Sequence, residues 1–552
     1  MIVDTIRKAC QELFGSDVSV ELTRPDEQFG DFSTNVAMQL AKPLGRNPRE
    51  SAQEIVQKLQ ETAQFADVGV AGPGFINIFI RDEQLLEQIN AQPMHTLNNM
   101  KILVEYSDPN PFKPLHAGHL YTTLVGDVIA RLVQNAGAET VRLNYGGDVG
   151  RHVGISMWAI MRNLGEQPLD ALAAIPQEER AAWMGQRYVE GTAAFEDDEQ
   201  AKAEILATNK RVYEVHADND HESDFAQVYW ALREDSYNFF KELYEQLQVT
   251  AFDRFIPESE VTPLGLQTLD TQKAAGVFTD SDGAVVFDGE AHGLHTRVFI
   301  NSEGLPTYET KELGLMEPKW QDYKFDESII ITANEQQQYM EVVLKAIEQF
   351  QPVITERTRH LTHGVVKLTG GVKMSSRKGN ILSAFDILEA AREAGRSSGQ
   401  AENEEVVLAA VKYALIKNKI GGDIIYDPQE SIATEGNSGP YLQYAHARAR
   451  SILRKAGDVE TTELVDVESG ERSLIQKLGQ YSEVVDLATK DLAPHHICGY
   501  LYELAQTFNR FYENTKVIGS DRQAQRLELV RIYAETLKKG LNLLGIHAPE
   551  QM

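Results

Sequence analysis

The stretch from Ile102 to Leu143 limits the possible folds of this chain more than any other. The short apolar run Ile102-Leu103-Val104 has the length and character of a buried strand. Ser107-Asp108-Pro109-Asn110-Pro111 reads as a loop, Leu120 to Asn135 as a helix, and Val141 to Leu143 as a second strand. Strand, helix and strand in such close succession predict a right-handed βαβ crossover, the opening of a parallel sheet of the nucleotide-binding kind.

At 552 residues the chain exceeds one hydrophobic core, so two to four domains are expected. Residues 1–95 read as a small α/β unit, with a helical start, helices over Thr34 to Ala41 and Ser51 to Thr62, and a strand at Phe75 to Ile80. The turn before that strand is marked by Val70-Ala71-Gly72-Pro73-Gly74. Residues 96–385 form the α/β unit, interrupted at about 165–245 by a helical insertion rich in Glu, Asp, Gln and Ala. Strand signals resume at Ala284 to Phe287, Thr296 to Ile300, Ser328 to Thr332 and Gly364 to Lys367. From about residue 385 to 552 the apolar spacing is helical throughout, including Tyr441 to Leu453, Leu474 to Leu487 and Leu527 to Leu544, which predicts an all-α bundle.

No run approaches the roughly 20 apolar residues of a membrane span, so no membrane association is expected. The start, MIVDTIRKACQELFG, mixes acidic residues into helical spacing and is unlike an export leader. Two cysteines, Cys10 and Cys498, are too few for a disulfide framework or a four-cysteine zinc site, and a cytoplasmic location is expected. With 53 Lys and Arg against 82 Asp and Glu, the net charge of −29 argues against a polyanion as partner. A nucleic acid feels local patches within a Debye length of about 8 Å, however, so a basic groove can override the total.

Two segments carry the chemistry. His116-Ala117-Gly118-His119 lies where the loop after the first strand enters its helix, so backbone N–H groups and the positive helix end can face phosphate oxygens. Gly118 removes a Cβ from the path of a base or ribose. Two imidazoles there can donate hydrogen bonds to a triphosphate; alone, such a pair could equally be a metal site or a chance surface pair. Lys373-Met374-Ser375-Ser376-Arg377-Lys378-Gly379-Asn380 sets three cations among serine hydroxyls, and its plain alternative is a solvated basic turn. Both segments in this order, about 250 residues apart in one α/β unit, are far more specific.

Together they resemble the paired signatures of class I aminoacyl-tRNA synthetases, commonly written HIGH and KMSKS. Within that class the sequence resembles the arginyl-tRNA synthetases over essentially its whole length. The resemblance rests on GDFSTNVAMQLAK from Gly30, VEYSDPNPFKPLHAGHL from Val104, NYGGDVGRHVG from Asn144, KMSSRKGN from Lys373, GPYLQYAHARARSI from Gly439 and the terminal LGIHAPEQM. It implies a Rossmann-like parallel-sheet catalytic domain, a small α/β N-terminal domain that reads the tRNA elbow, and a helical anticodon-binding domain. The implied reaction has two steps: arginine attacks the α-phosphorus of ATP to give arginyl adenylate and pyrophosphate, then the 2′-hydroxyl of the tRNA's terminal adenosine takes the acyl group. Such chemistry asks for positioning and charge neutralisation rather than a covalent nucleophile. Magnesium is expected to accompany ATP without a dedicated protein site, and the protein is expected to be a monomer that binds no DNA.

The resemblance also implies the residues of the site. Pro109, Asn110, His116, Gly118, His119, Val365, Lys373, Met374 and Ser375 would bind ATP. The second signature departs from pattern at Ser376, where a lysine is usual and where a serine cannot neutralise phosphate charge. Lys113, three residues before His116, is expected to supply that charge, with Arg377 a second candidate beside Lys373, His116 and His119. Arginine's guanidinium, with five fixed donors and a permanent charge, needs anionic and planar acceptors. Glu105, Asn110, His119, Tyr308 and Gln336 match the family's pocket, whereas Glu312 stands where Asp is usual and Asp108 replaces a common Ser. Tyr308 and Glu312 could otherwise be a plain helix-face pair.

For tRNA, Phe75 and Asn77 lie where the family contacts a looped-out base, although both could be buried strand residues. Tyr441, Tyr444, Arg448 and Arg450 open the helical domain with aromatics interleaved among cations, alongside Gln443, His446 and Arg454, some of which must be core. Two alternatives compete. A cysteinyl or tRNA-independent ligase of the same superfamily would need zinc-binding cysteines or would lack the outer domains. A catalytically dead RNA-binding paralogue would not need His116, His119 and Lys373.

Overall fold

The structure, a computed structural model, describes residues 2–369, 382–399, 403–457 and 462–552. The N-terminal unit packs helices Ile2–Phe14, Val36–Leu44 and Pro48–Glu61 against β1 (Phe32–Thr34), β2 (Phe65–Ala71) and β3 (Phe75–Ile80), an antiparallel sheet in the order β1-β3-β2. Only β3 stands out in the sequence. The FADVGVA of β2 contains Asp67 and Gly69, residue types that strands disfavour, and the three residues of β1 are too few for a pattern. The helix expected from Thr34 therefore begins two residues later, at Val36.

In the catalytic unit β4 (Lys101–Glu105), β5 (Glu139–Gly146) and β6 (Arg254–Pro257) are parallel neighbours. The expected crossover is present, its helix running from Ala117 to Asn135 between β4 and β5. The chain then leaves the sheet for β7 (Thr279–Ser281), β8 (Ala284–Phe287) and β9 (Arg297–Ile300), which form their own antiparallel sheet. It returns to the opposite side of β4 with β10 (Glu327–Ala333) and β11 (Thr358–His363), giving the parallel order β11-β10-β4-β5-β6. The winding direction thus reverses between β4 and β10, and an open α/β sheet has its crevice where such a reversal occurs. Glu105 ends β4 and Gln336 lies just past β10, so both sit at that reversal.

Between β5 and β6 the expected insertion is helical, with Pro168–Ala173, Gln177–Asp197, Glu199–Ala217 and Asp224–Gln246. It shares a core with the catalytic unit, in which Val212, Tyr229 and Leu232 meet Phe112 and Val153. A further parallel pair, β12 (Val366–Leu368) with β13 (Ile424–Tyr426), joins residues on either side of position 385, beyond which only helices were expected. β13 has just three residues, too short to register against the helical spacing around it.

The C-terminal helices Glu404–Ile416, Gly439–Ala456, Ser469–Leu478, Tyr481–Asp491, His495–Asn514 and Gln523–Leu543 form a bundle whose core continues into the Ala117–Asn135 helix. One helix expected over Leu474 to Leu487 is in fact two, broken at Gly479-Gln480. The tail after Leu543 is part of the core, with Leu544, Ile546 and Ala548 buried. Gln443 Nε2 donates to the His547 carbonyl at 2.9 Å, and His446 Nδ1 lies 2.8 Å from the Pro549 carbonyl oxygen. No described helix is long and apolar enough to cross a membrane.

Candidate active site

The loop after β4 is held in an unusual backbone path. Ser107, Asp108 and Phe112 have φ of 76°, 46° and 64°, a region that costs side-chain-bearing residues about 1–3 kcal/mol each and persists only when the surroundings enforce it. Here they do. Ser107 Oγ lies 2.8 Å from the Tyr244 hydroxyl and accepts from Thr123 Oγ1 at 2.7 Å. Asp108 Oδ1 accepts the Tyr145 N–H at 2.8 Å, and Asn110 Oδ1 accepts the Gly147 N–H at 2.8 Å. Asp108 and Asn110 thus pin the loop after β4 to the end of β5 and the loop that follows it, and the two line one face of a crevice.

His116 caps the Ala117–Asn135 helix, and the rings of His116 and His119 stack with centroids 3.7 Å apart. His119 Nδ1 accepts the His116 N–H at 3.3 Å, so the neutral ring carries its proton on Nε2. Burial holds the His116 imidazole down at about 4, reinforced by Lys113 and His363. Burial, with His116 and Lys113 added, holds His119 well below the ordinary histidine range. Both rings are therefore neutral donors at neutral pH rather than cations. A Cβ on Gly118 would come within 2.9 Å of His116 Nδ1, so the glycine first of all makes room for the stacked histidine.

The second signature segment, with Lys373, Met374, Ser375, Ser376 and Arg377, lies outside the described residues. Its C-terminal flank is anchored at the first signature. Leu382 O accepts the Ala117 N–H at 2.8 Å, Ala384 N donates to Leu115 O at 3.1 Å, and Ser383 bridges His116.

Beside the histidines is a cavity of about 290 Å³ lined by Glu105, Asp108, Asn110, Lys113, His116, Gly118, His119, Tyr308, Glu312 and Gln336. Ten positions singled out in the sequence, from both sides of the sheet reversal, thus share one wall. Pro109 and Val365 do not line it. Pro109 is buried with its carbonyl against Gly146, and Val365 is exposed, its N–H donated to Asp423 Oδ1 at 3.0 Å. Part of the cavity's lining is acidic. Glu105 and Glu312 are buried and Asp108 partly so, against one cation, Lys319, whose Nζ donates to Glu105 Oε2 at 2.7 Å. Burial, and then the neighbouring Glu105, push the Glu312 carboxyl up to about 8 and raise Asp108 well above the carboxylate range. Glu312 Oε2 is buried with no well-formed hydrogen bond among the described residues, and the Tyr339 side chain is the donor beside that carboxyl. Such a group is costly until a donor reaches it.

A larger cavity of about 920 Å³ adjoins the first and shares Lys113 and Tyr308 with it. Its wall mixes Arg151 and Arg297 with Tyr188, Phe195 and Tyr213. Lys113 Nζ rests 5.5 Å from the Tyr188 ring centroid, so this lysine stands at the junction of the two spaces.

Three family matches tile the chain. Residues 1–80 match the arginyl tRNA synthetase N terminal domain, 82–430 the class I (R) tRNA synthetase catalytic domain, and 442–552 the DALR anticodon binding domain. The arginine–tRNA ligase of Shewanella oneidensis is 32% identical over 98% of this chain and 96% of its own length. The chain belongs to the arginyl-tRNA synthetase family. The corresponding enzyme of Haemophilus ducreyi is 30% identical over 98% of this chain and 99% of its own. The solved arginyl-tRNA synthetase of Thermus thermophilus superposes with a TM-score of 0.81 at 27% identity, covering 100% of this chain and 99% of its own.

In this synthetase the expected tRNA contacts fall on both exposed and occupied side chains. Phe75 is exposed, and Asn77 is half-buried with its Oδ1 accepting from Ser33 Oγ at 2.9 Å. Tyr444 is exposed and Arg448 half-buried one turn later, its guanidinium 5.2 Å from the Tyr512 ring. The Tyr441 hydroxyl accepts from Asn509 Nδ2 at 3.0 Å. Arg450 is ion-paired with Glu550 at 2.5 Å, while Gln443 and His446 are core residues that hold the tail. Sequence reasoning missed Lys319, whose burial beside an acid has no local signature seven residues after Glu312. It also missed the buried pair of Lys311 with Glu258, which contacts the Val149 carbonyl at 3.3 Å and so fixes the glycine loop to the Tyr308 helix.

Proposed function

We propose that this arginine–tRNA ligase activates arginine in the 290 Å³ cavity and charges tRNA across the junction marked by Lys113. The observation that carries the reading is the buried acidic lining. Three carboxyl groups face one lysine, and Glu312, with only the Tyr339 side chain beside it, can accept a further donor. A guanidinium meets that need with a permanent charge and planar paired N–H groups, which a neutral side chain cannot. In this reading Glu105, Asp108 and Glu312 receive the guanidinium, Tyr308 covers it, Asn110 and His119 border the substrate, and Gln336 at the cavity mouth takes the α-amino group.

ATP lies toward His116, Gly118 and His119, with Asn110, Lys373, Met374 and Ser375 completing its site, and Pro109 and Val365, which do not line the cavity, take no direct part. An arginine carboxylate oxygen attacks the α-phosphorus, the bond to the β-phosphate oxygen breaks, and pyrophosphate leaves. The neutral His116 and His119 rings donate hydrogen bonds to the growing negative charge, and Lys113 supplies the cation that Ser376 does not, with Lys373 and Arg377 beside it. Magnesium would accompany the nucleotide, since His116, His119 and Lys113 beside the proposed phosphate position are not the oxygen ligands that this ion prefers. In the second step the 2′-hydroxyl of the terminal adenosine attacks the arginyl carbonyl and AMP departs. The larger cavity, with cations interleaved among aromatics, suits an unpaired 3′ end.

The reading divides the chain into an elbow-reading unit to residue 95 using Phe75 and Asn77, a catalytic unit to 385, and a helical anticodon unit using Tyr441, Tyr444, Arg448 and Arg450. Its polynucleotide is tRNA and not DNA, and it acts as a monomer. Two buried free thiols, Cys10 and Cys498, suit the reducing cytoplasm. ATP–pyrophosphate exchange measured with each amino acid, with and without tRNA, tests it. Exchange should appear with arginine and require tRNA; exchange with another amino acid instead, or none at all, refutes the reading.

A further inference from the structure

The GDFSTN segment opening at Gly30 has no part in either cavity, yet it makes a specific contact 441 residues away in sequence. Gly30, at φ 119°, passes so close to β3 that a Cβ would lie 2.8 Å from the Ile78 carbonyl oxygen. That approach lets Asp31 N donate to Ile78 O at 2.9 Å and turns the Asp31 carboxylate inward, where its Oδ2 accepts the Ile80 N–H at 2.7 Å. The same oxygen accepts from Arg472 NH2 at 2.9 Å. Arg472 belongs to the Ser469–Leu478 helix of the C-terminal bundle. Its NH2 also donates to the Ile80 carbonyl at 3.1 Å, and its NH1 to Asp82 Oδ1 at 2.7 Å. One guanidinium thus joins the end of β3, its buried carboxylate and the start of the following helix. Only arginine offers the planar fork that reaches all three.

The preceding residue of the same helix faces the other way. Glu471 is buried and accepts from Arg522 NH2 at 2.8 Å and Arg526 Nε at 2.9 Å, at the start of the last helix. Two flanking contacts run parallel to the clasp: Arg24 with Glu483 at 3.0 Å, and the Met94 N–H on Asp486 Oδ1 at 2.8 Å. Consecutive residues Glu471 and Arg472 therefore bolt one helix to the bundle on one side and to the N-terminal unit on the other.

We infer that Arg472, clasped by Asp31 and Asp82, is a positioning residue for tRNA, fixing the N-terminal unit on the C-terminal bundle so that both reading surfaces meet one tRNA at a set separation. The inference rests on the reading that the N-terminal unit contacts tRNA through Phe75. Arg472 touches neither cavity, so its loss should act on tRNA capture and leave the chemistry alone.

The test is steady-state aminoacylation by the full chain with a tRNA transcript, comparing wild type with Arg472→Met, Arg472→Lys, Asp82→Asn and Phe75→Ala. Arg472→Met should raise the KM for tRNA roughly 10- to 100-fold, the scale of losing a charge-assisted hydrogen-bond set, with kcat at saturating tRNA and the KM values for arginine and ATP within about twofold of wild type. Arg472→Lys should recover part of the loss. Asp82→Asn, which spares the buried carboxylate, should show a smaller rise and guards against failure of Arg472→Met to fold. An unchanged tRNA KM in Arg472→Met, where Phe75→Ala raises it, overturns the clasp and leaves the elbow reading standing. No change in either variant overturns the elbow reading and the inference with it. A fall in kcat with all three KM values shifted together would make Arg472 a general structural element and also overturn the proposal.

Discussion

At the scale of single residues the site is decided by charge placed out of water. Glu312 is held protonated to about pH 8 by burial and by Glu105. A guanidinium beside it favours the carboxylate, so binding should release a proton. The free protein keeps that proton below about pH 8, and the cost of releasing it falls as pH rises. Arginine affinity should therefore increase from pH 6.5 to about 8 and level off above. Titration calorimetry at pH 7 in buffers of different ionisation enthalpy would show the released proton; a binding enthalpy independent of the buffer would contradict it. At the phosphate end, Lys113 lies close enough to depress both signature histidines. Its replacement in Lys113→Ala should slow adenylate formation roughly 10- to 1000-fold, as expected for one charge-stabilising group, with arginine affinity little changed. A rate equal to wild type in rapid-quench measurements would shift the task to Arg377 or Lys378.

At the scale of elements, histidines kept neutral by burial sit at the start of the Ala117 helix (His116), in the Arg151–Leu164 helix, where His152 Nε2 lies 2.7 Å from the Gly147 carbonyl oxygen, and on β11 (His360). Burial holds His116 at about 4, His152 at about 3 and His360 at about 4. Above pH 6.5 these rings are neutral folded or unfolded and carry no pH dependence. As pH falls from 6.5 toward 4 the unfolded chain takes up protons that the folded chain refuses, and stability is lost. Urea midpoints measured at pH 7.5, 5.5 and 4.5 should fall, and fall less steeply in His152→Asn; an equal slope in the variant would remove His152 from the account. The same elements show what was legible beforehand. The βαβ crossover and the loop after its first strand could be read because a hydrophobic strand and a proline-rich loop leave local marks, whereas Asp108 and Asn110 within that loop stood out only through the family resemblance. β2 and β13 could not, since an interrupted or three-residue strand is fixed by its neighbour's hydrogen bonds and not by its own composition. The burial of Lys319 against Glu105, and the loss of Arg450 to Glu550, arise from contacts 214 and 100 residues apart that no local spacing encodes.

At the scale of the whole molecule, sheet order explains why distant segments meet. Because β10 returns to the free side of β4, the loops after both strands open into one crevice, and the one helix Tyr308–Tyr323 brings Glu312 and Lys319 to it. The net charge of −29 is a sum over the whole surface, whereas a nucleic acid feels local groups, such as Arg151 and Arg297 in the wall of the larger cavity and Arg448 one turn beyond the exposed Tyr444. The tail from Leu544 closes the bundle from within and uses up Gln443 and His446, which leaves Tyr444 exposed with Arg448 half-buried one turn on, and Arg454 and Lys455 exposed near the end of that helix. The central claim is that a buried acidic lining selects a cationic substrate. Its most direct measurement compares tRNA-dependent pyrophosphate exchange for arginine and for citrulline, its neutral isostere, in the wild-type protein. The kcat/KM for arginine should exceed that for citrulline by at least about 10⁴-fold, as for a site whose buried polar groups would be left unpaired. Comparable values for the two would contradict it.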